Sequence, residues 1–290
     1  MESSEHQDVI DNVSPSAISA ICIRLAGGLE SPLTTLFEKN ADRPASPASI
    51  TKLLTAVTAL TVCHAKDISL AKELSVLPED LVEGSGNNLR VDDRLSVRHA
   101  LINLLLASSN VSANVIARSL GSILLSDRSI GPSALDAQSR FIDEMNSVAA
   151  RLQMQSSRFL NAHGLAVKGQ RSTARDLSLL VLECLRHSMI CGVWDLEKYG
   201  IQINGPNPRR LIVRSVFIGS SRRALPDFSI PQFRGGKSGS LWPSVFNLAA
   251  VSTLENGNSI ISVTLGSPTL TDRHQDYLLM LKVGNDEPSH

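Results

Sequence analysis

The chain has no net charge, because its 28 lysine and arginine side chains balance 28 aspartate and glutamate side chains. A binder of nucleic acid or of anionic membranes would show clustered basic residues, so we expect no nucleic-acid partner. The sequence has no apolar run of about 18 residues, and we therefore expect no transmembrane anchor. Residues 1–16 are polar and acidic, which is not the composition of a signal peptide.

The cysteines also lack the spacing that is typical of metal sites. The four are scattered without a C-x-x-C pair: Cys22, Cys63, Cys184 and Cys191. We therefore expect no zinc site, no other metal and no cofactor, while the sequence leaves open whether these thiols form disulfides. A chain of 290 residues is long enough for one large domain or for two lobes.

Three short motifs indicate acyl-transfer chemistry. In chain order they are Ser49-Ile50-Thr51-Lys52, Ser108-Ser109-Asn110 and Lys237-Ser238-Gly239. The order S-x-x-K, S-x-N, K-[ST]-G is typical of serine enzymes that bind β-lactams or cleave D-Ala-D-Ala peptides. Together the motifs supply a nucleophile, a base, a proton carrier and an anchor for a carboxylate, which no single motif does.

Each motif also occurs elsewhere in the chain, so a single match carries little weight. The competing matches are Ser69 with Lys72, Ser85 with Asn87, Ser112 with Asn114, and Lys282 with Gly284. Local context favours the first set. Pro47 is tolerated at a helix entrance, and residues 50–60 are apolar nearly all round, which predicts a buried helix beginning at Ser49.

A lysine on a buried helix is costly unless it is paired or its pKa is lowered, so Lys52 is a candidate base. A surface serine with a snorkelling Lys52 is the alternative. Ser108-Ser109-Asn110 interrupts an apolar helix, where a plain turn or helix cap is the alternative. Glycines before Lys237 would let a substrate backbone approach a strand, where a turn with a surface lysine is the alternative.

The coarse secondary-structure prediction alternates strands with a helical middle. Strands are expected over 17–25, 33–39, 201–203, 210–217, 247–254 and 260–266, with one opening at 237–240. Helices are expected over 49–65, 98–107, 111–121, 138–152, 173–186 and 271–283. The N- and C-terminal strands must then meet in one sheet, with the helical segment inserted between them.

Longer segments resemble a known family. They are residues 37–44, 47–56, 92–98, Asn161-Ala162-His163-Gly164-Leu165 and Ser172-Thr173-Ala174-Arg175-Asp176-Leu177. From about residue 20 to about 281, the chain resembles low-molecular-weight penicillin-binding proteins, the D-alanyl-D-alanine carboxypeptidase family of serine peptidases. The resemblance implies an α+β fold (α/β/α) like that of β-lactamases and transpeptidases. An antiparallel sheet lobe (17–75 with 200–290) would be flanked by helices, beside a helical lobe (76–199).

The resemblance also implies a site. Ser49 would attack the carbonyl of a D-Ala-D-Ala bond or a β-lactam, Lys52 would be its base, and Ser108 would pass the proton to the leaving amine. Backbone N–H groups of Ser49 and Ser240 would hold the oxyanion. The remaining substrate-binding residues would be Asn110, Lys237, Ser238, Gly239 and Arg273. A nearby Lys237 would lower the pKa of Lys52. Arg273 has a surface ion pair as its alternative.

The implied function is carboxypeptidase action on peptidoglycan stem peptides, with β-lactams as slowly released covalent inhibitors. A class A β-lactamase needs a glutamate for deacylation, and the corresponding position holds Ser157. D,D-endopeptidase action and a non-catalytic peptide-binding descendant use the same residues. His163 is expected to be structural, because Lys52 already supplies a base. The family implies an extracytoplasmic enzyme, periplasmic or at the cell surface, although no signal peptide is visible.

Overall fold

A central antiparallel sheet organises the molecule. The computed structural model describes residues 14–25, 29–30, 32–126, 134–224, 233–255 and 257–286. The five strands are β1 (Ser19–Leu25), β2 (Leu33–Lys39), β7 (Phe233–Leu241), β8 (Val245–Thr253) and β9 (Ser259–Ser267), in the order β2-β1-β9-β8-β7. Strand β1 pairs with β9, with Ser19 opposite Leu265 and Leu25 opposite Ser259. The prediction that the N- and C-terminal strands share one sheet is confirmed.

Two short hairpin-like sheets lie outside the central one. Strands β3 (Glu73–Ser75) and β4 (Arg94–Ser96) form one, and β5 (Lys198–Ile203) and β6 (Arg209–Arg214) form the other. The predicted strand over 210–217 is therefore too long, because residues from Val216 onward are helical. The strand predicted to open at 237–240 in fact begins at Phe233, so Gly235 and Gly236 lie inside it.

Six of the described helices lie between β2 and β5 and two lie later in the chain, and together they cover both faces of the sheet. They are α1 (Thr51–Ala65), α2 (Val97–Leu106), α3 (Asn110–Leu124), α4 (Ala134–Arg151), α5 (Ala174–Cys184), α6 (Ser188–Cys191), α7 (Val216–Ala224) and α8 (Leu270–Asp286). Polar caps start three of them, because the side chains of Ser96, Ser109 and Thr173 accept backbone N–H bonds from the first turns of α2, α3 and α5.

The alternation of side chains along the strands divides the core between the two faces of the sheet. Ile21 and Ile23 of β1 join the larger cluster, which includes residues of α1 and α5, whereas Cys22 joins a smaller cluster with Tyr277 and Met280 of α8. Each such buried side chain contributes about 1.5–3 kcal/mol. The sheet is therefore covered by helices on both faces, as the α+β prediction requires. The proposed lobe boundaries stay a prediction.

Helix α1, which carries Lys52, is largely buried in the core. By length and composition, residues Ala48–Ala65 are apolar enough to cross a membrane, although 72% of this window is buried in the fold. The core helix of a globular fold passes the same test, so this match is weak evidence for a membrane span.

All four cysteines are free thiols, so the structure contains none of the disulfides that the sequence left open.

Candidate active site

Ser49 lies in a short 3₁₀ turn, Ala48–Ile50, rather than at the first position of an α-helix. The turn is entered through Ala48, whose φ of 48° is unusual for a residue with a side chain. The turn leads directly into α1, so Lys52 follows one helical turn after Ser49. The distance from Lys52 Nζ to Ser49 Oγ is 2.9 Å. The sequence prediction that these two side chains meet is correct in its outcome, although the helix starts two residues later than predicted.

Lys52 is held so that it can accept a proton. Its Nζ donates to the carbonyl oxygen of His163 at 2.5 Å, and the side chain is completely buried. Burial, and then the nearby charge of Lys237, hold the pKa of Lys52 well below its usual value. A neutral lysine in this position can donate to the His163 carbonyl while it accepts the Ser49 hydroxyl proton. The alternative of a snorkelling surface lysine is wrong.

Two further cations lie beyond Lys52. Burial and the charge of Arg273 lower the pKa of Lys237 to about 7, and its Nζ donates to the carbonyl oxygen of Ser238 at 2.7 Å. Burial alone lowers the pKa of Arg273 to about 10. Lys237 thus lies close to both Lys52 and Arg273, and it is costly to bury basic side chains together without a carboxylate beside them.

The K-S-G motif lies on the outer strand of the sheet. Lys237 pairs with Ala249 and Ser238 with Leu248, residues that belong to opposite core clusters, so the two side chains point to opposite faces of β7. Gly239 allows the strand to touch the turn that carries Ser49. A Cβ atom on Gly239 would lie 2.9 Å from the backbone nitrogen of Ser49. The motif thus joins β7 to the candidate nucleophile.

The S-S-N motif lies where helix α2 ends and helix α3 begins. Ser108 has a φ of 57°, and its buried Oγ has no hydrogen-bond partner among the described residues. Asn110 donates from Nδ2 to the carbonyl oxygen of Glu83 at 2.9 Å, and its backbone N–H donates to Ser85 O at 3.0 Å. The glycine-rich loop 83–88 is therefore bound to the motif. Ser109, not Ser108, caps the next helix, which leaves the Ser108 hydroxyl unused by the local fold.

The loop Asn161–Leu165 connects this side to Ser49. A Cβ atom on Gly84 would lie 2.6 Å from Asn110 Nδ2 and 3.8 Å from Leu165 Cδ2. A Cβ atom on Gly164 would lie 2.0 Å from the carbonyl oxygen of Ala48. Consecutive close contacts therefore run from Asn110 through this loop to the residue before Ser49.

His163 contributes mainly through its backbone. Its carbonyl oxygen accepts from Lys52, and its ring Nδ1 accepts from the backbone N–H of Leu165 at 3.1 Å. Burial and the Lys52 charge lower the pKa of His163 to about 4, so the ring is neutral near pH 7. The described residues place no carboxylate on this ring, and the expectation of a structural histidine stays the simpler interpretation.

Arg273 is buried near the start of α8, so the alternative of a surface arginine is wrong. Its guanidinium carbon lies 5.8 Å from the centre of the Phe217 ring, and one terminal nitrogen lies 3.5 Å from His274 Nε2. His274 Nδ1 is 2.7 Å from the carbonyl oxygen of Leu270, and Nε2 is 2.8 Å from Ser221 Oγ. Phe217 and His274 therefore fix the arginine head group.

Sequence analysis did not identify several supporting residues. Asn247 donates to Ser46 O at 2.9 Å and accepts from Gly266 N at 2.8 Å, which ties β8 and β9 to the segment before Ser49. Asn103 bonds with Asn88 and with Ser112 at 2.8–2.9 Å. A lone asparagine inside the apolar run 100–106 was a visible signal for the second network, whereas nothing local marked Asn247.

Position 157, where a class A β-lactamase would need its glutamate, holds a serine that takes part in a structural network. Ser157 Oγ donates to Asp176 Oδ2 at 2.7 Å and lies 2.7 Å from Ser172 Oγ. Asp176 also accepts the backbone N–H of Ser156 at 2.9 Å. This carboxylate, on the first turn of α5, is thus occupied by Ser156 and Ser157. Among the described residues, no cluster of three or more histidine, cysteine or acidic side chains could hold a metal ion.

Gly164 offers a direct test of the loop contact. Replacing Gly164 with alanine should destabilise the protein and slow the reaction of Ser49, because the new Cβ would collide with the Ala48 carbonyl. Gly257→Ala is the matched control: Gly257 also has a positive φ (83° against 88°) but has open space around its Cβ position. Both variants carry a backbone cost of about 1–2 kcal/mol. Thermal unfolding should show the larger loss for Gly164→Ala, and equal losses would contradict the contact.

The fold that holds this serine and buried lysine is that of solved DD-peptidases. Solved structures with this fold include the DD-transpeptidase of Streptomyces K15 (TM-score 0.78, 21% identity, 94% of this chain and 98% of that one). They also include penicillin-binding protein D2 of Listeria monocytogenes in its ampicillin-bound form (TM-score 0.70, 23% identity, 94% and 98%).

The chain belongs to the D-alanyl-D-alanine carboxypeptidase family, whose sequence model matches residues 16–269. The D-alanyl-D-alanine carboxypeptidase DacC of Escherichia coli is 28% identical over 81% of this chain and 54% of its own length. A D-alanyl-D-alanine endopeptidase of the same organism is 29% identical over 53% of this chain and 44% of its own length. The chain thus spans about half the length of the curated relatives it matches.

Proposed function

We propose that this protein is a serine-type D-Ala-D-Ala carboxypeptidase that acts on peptidoglycan stem peptides through an acyl-enzyme on Ser49. One observation carries the proposal: Lys52 Nζ lies 2.9 Å from Ser49 Oγ, fully buried and with its pKa lowered by burial and by Lys237. A serine hydroxyl reacts only when a neighbour removes its proton, and a neutral lysine at this distance can do so.

The reaction follows from this geometry. Ser49 Oγ attacks the carbonyl carbon of the penultimate D-Ala while its proton moves to Lys52 Nζ. The C–N bond then breaks, and the departing amine of the terminal D-Ala receives a proton through the Ser108 hydroxyl, whose Oγ makes no competing hydrogen bond in the described structure. Backbone N–H groups of Ser49 and Ser240 hold the oxyanion, each worth about 3 kcal/mol. Water completes hydrolysis of the ester.

Specificity for a free C-terminus comes from the buried cations. Lys237 and Arg273 supply positive charge, and the Ser238 hydroxyl supplies a donor for the terminal carboxylate. Asn110 supplies an amide for the substrate backbone. Burial strengthens these interactions, because a carboxylate in a site of low dielectric constant is attracted more strongly than in water. The same groups would bind the carboxylate of a penicillin.

Slow release of penicillin is part of the proposal. Ser157 replaces the glutamate that a class A β-lactamase uses, and the nearby Asp176 carboxylate is engaged by Ser156 and Ser157. Because position 157 holds no carboxylate and that of Asp176 is engaged, neither residue can activate water, and the penicilloyl ester should persist. The alternative of a class A-like β-lactamase predicts rapid turnover of nitrocefin instead.

The experiment that tests the proposal combines intact-mass analysis with peptide cleavage. Incubation with benzylpenicillin should add one penicilloyl group that persists for minutes or longer, and an acylated L-Lys-D-Ala-D-Ala tripeptide should release D-alanine. Protein that forms no adduct and cleaves no peptide would favour the non-catalytic descendant. A cross-linked dimer peptide cleaved faster than the tripeptide would favour the D,D-endopeptidase alternative. The substrate implies an extracytoplasmic site of action, which fractionation of cells would check.

The pH profile of kcat/KM should be bell-shaped. Lys52 must be neutral to act as a base, so the rate should fall as acid protonates it. Lys237 must be charged to bind a carboxylate, and its pKa is about 7, so kcat/KM should also fall as pH rises through about 7. A tripeptide with a C-terminal carboxamide is the control, because it lacks the carboxylate and should show the acid limb alone. Identical alkaline limbs for both peptides would contradict this role of Lys237.

A further inference from the structure

The basic residues of this neutral chain are concentrated in one segment. Residues 198–226 contain six basic side chains and no acidic one, and the six are Lys198, Arg209, Arg210, Arg214, Arg222 and Arg223. The first four lie on the hairpin of β5 and β6, where Lys198 pairs with Arg214 and Gln202 pairs with Arg210. The zero net charge therefore hides a local excess of positive charge.

One face of this hairpin is turned to the core and the other to solvent. Ile201 and Val213 are buried in the larger core cluster. Successive side chains of a strand point to opposite faces, so Lys198, Arg210 and Arg214 share the outer face. All three are exposed. We call these three residues the basic face.

No described carboxylate neutralises the basic face. Arg209, on the inner side of the hairpin, forms an ion pair with Asp93 at 2.7 Å. Among the described residues, no carboxylate lies within 4.0 Å of the basic face. Lys198 and Arg214 are also directly opposite each other, where like charges destabilise a pair of strands. The hairpin thus holds like charges together at a cost that an anionic partner would offset.

The chemistry of the basic face fits phosphate groups. The Cβ atoms of directly opposed residues such as Lys198 and Arg214 are about 5 Å apart, so both side chains can contact one tetrahedral group. Arg210 lies across Gly200, because a Cβ atom on that glycine would lie 2.5 Å from Arg210 Nε and 2.8 Å from Nη2. A planar guanidinium presents paired N–H donors, which match two oxygens of a phosphate.

The partner must carry many such groups. An exposed ion pair contributes at most about 1 kcal/mol, so three exposed cations bind a single small anion weakly. A polymer gains affinity because further phosphates are already close to the face once the first is bound. The outward positions of the two strands carry no aromatic ring to stack on bases, and Ile212 is their one large apolar side chain. Insertion into a membrane surface needs a broader apolar face.

We propose that the basic face binds a flexible linear polyanion that repeats phosphate groups. This binding does not depend on the proposed function, because none of the three side chains belongs to the candidate active site. Release of counterions gives the contact a measurable signature. Three phosphates of a single-stranded polymer give a slope of about −2 when the logarithm of the binding constant is plotted against that of the salt concentration.

A long-chain inorganic polyphosphate labelled at one end is the probe, and fluorescence anisotropy gives the binding constant. Wild type should show the slope of about −2 between about 50 and 200 mM salt. The hairpin triple variant combines Lys198→Gln, Arg210→Gln and Arg214→Gln. It should bind at least about tenfold more weakly at about 50 mM salt, with a slope near zero.

The control is a second triple variant, Lys66→Gln with Lys72→Gln and Lys282→Gln. It removes the same net charge from exposed lysines outside the hairpin, so it should keep the affinity and the slope of wild type. Equal losses in the two triple variants would show an effect of net charge alone and would overturn the basic face. Wild-type protein that does not bind polyphosphate would overturn it as well.

Competitors decide the class of the partner. Orthophosphate at the same concentration of phosphate should displace little of the probe, and complete displacement would contradict a polymer site. Poly-L-glutamate, duplex DNA and vesicles of phosphatidylglycerol should each bind more weakly than polyphosphate. If one of them binds more tightly and loses this affinity in the hairpin triple variant, the face belongs to an acidic peptide, to nucleic acid or to a membrane, and the phosphate polymer is refuted.

Lys198→Glu separates binding from folding. The new carboxylate would face Arg214 and replace a repulsion by an ion pair, so thermal unfolding should occur at or above the wild-type temperature. Binding of polyphosphate should nevertheless weaken at least about fivefold, and unchanged binding would refute the basic face. All these variants should form the benzylpenicillin adduct as wild type does. If wild type forms no adduct, only the proposed function fails.

Discussion

Ser49→Ala is expected to abolish both the benzylpenicillin adduct and the cleavage of D-Ala-D-Ala peptides. The loss follows because the covalent intermediate needs an oxygen nucleophile, and Ser49 Oγ is the hydroxyl that lies 2.9 Å from the buried Lys52. Removing the nucleophile of a serine hydrolase costs roughly 10⁴- to 10⁶-fold in rate. Intact-mass analysis and D-alanine release would measure the two activities.

The chain offers a matched control in Ser69→Ala. Ser69 and Lys72 repeat the S-x-x-K spacing, but Ser69 Oγ accepts only the backbone N–H of Ala71 at 3.2 Å in a partly exposed turn. This variant should keep the adduct and the cleavage rate of wild type. An adduct that survives Ser49→Ala, or that is lost in Ser69→Ala, would refute Ser49 as the nucleophile.

Lys52→Met should be folded but acylated at least about 10³-fold more slowly. Methionine fills nearly the same volume without an amine, so the base is lost while the packing of α1 is kept. Replacement of a buried charge by an apolar side chain is often neutral for stability, although the carbonyl oxygen of His163 loses its donor at a cost of about 1–3 kcal/mol. Stopped-flow acylation by a fluorescent penicillin would give the rate, and thermal unfolding would give the stability.

Lys72→Met is the control for this experiment, because it removes an exposed lysine at the same motif position. It should change neither rate nor stability. A Lys52→Met protein that is acylated at the wild-type rate would assign the base to another group. A protein that has lost its cooperative unfolding transition would show instead that Lys52 is needed for the fold.

Much of the fold could be predicted because its signals are local. The apolar surface all round residues 50–60 predicted the buried helix, and the paired strands at each end of the chain predicted one shared sheet. The predictions failed where neighbours in space decide the structure. Gly235 and Gly236 were expected to precede β7, yet they lie within it, because pairing with β8 extends the strand to Phe233. The predicted strand over 210–217 enters helix α7 by two residues, since that helix begins with Val216 and carries Gly, Ser and β-branched residues.

The site divides in the same way. Ser49 and Lys52 are three residues apart, so helical geometry alone brings them together. The contacts that surround them join distant segments: Asn247 bonds to Ser46, and His274 contacts Arg273 beneath Phe217. Such contacts depend on sheet register and on how α7 and α8 pack. Neither can be predicted from residues that are close together in the sequence. Sequence therefore predicts the reacting groups better than the residues that orient them.

The pairing of β1 with β9 has a consequence for how the protein is made. On the ribosome, β1 emerges long before β9, so its apolar residues Ile21 and Ile23 lack an inner neighbour until almost the whole chain has been translated. Contacts so distant in sequence slow folding and leave strand edges exposed to aggregation. The helices between β2 and β5 can form early. The K-S-G motif, however, lies on β7 near the C-terminal end of the chain, and the candidate nucleophile Ser49 lies near the N-terminal end. Catalytic competence is therefore acquired last, after the two ends of the chain have met.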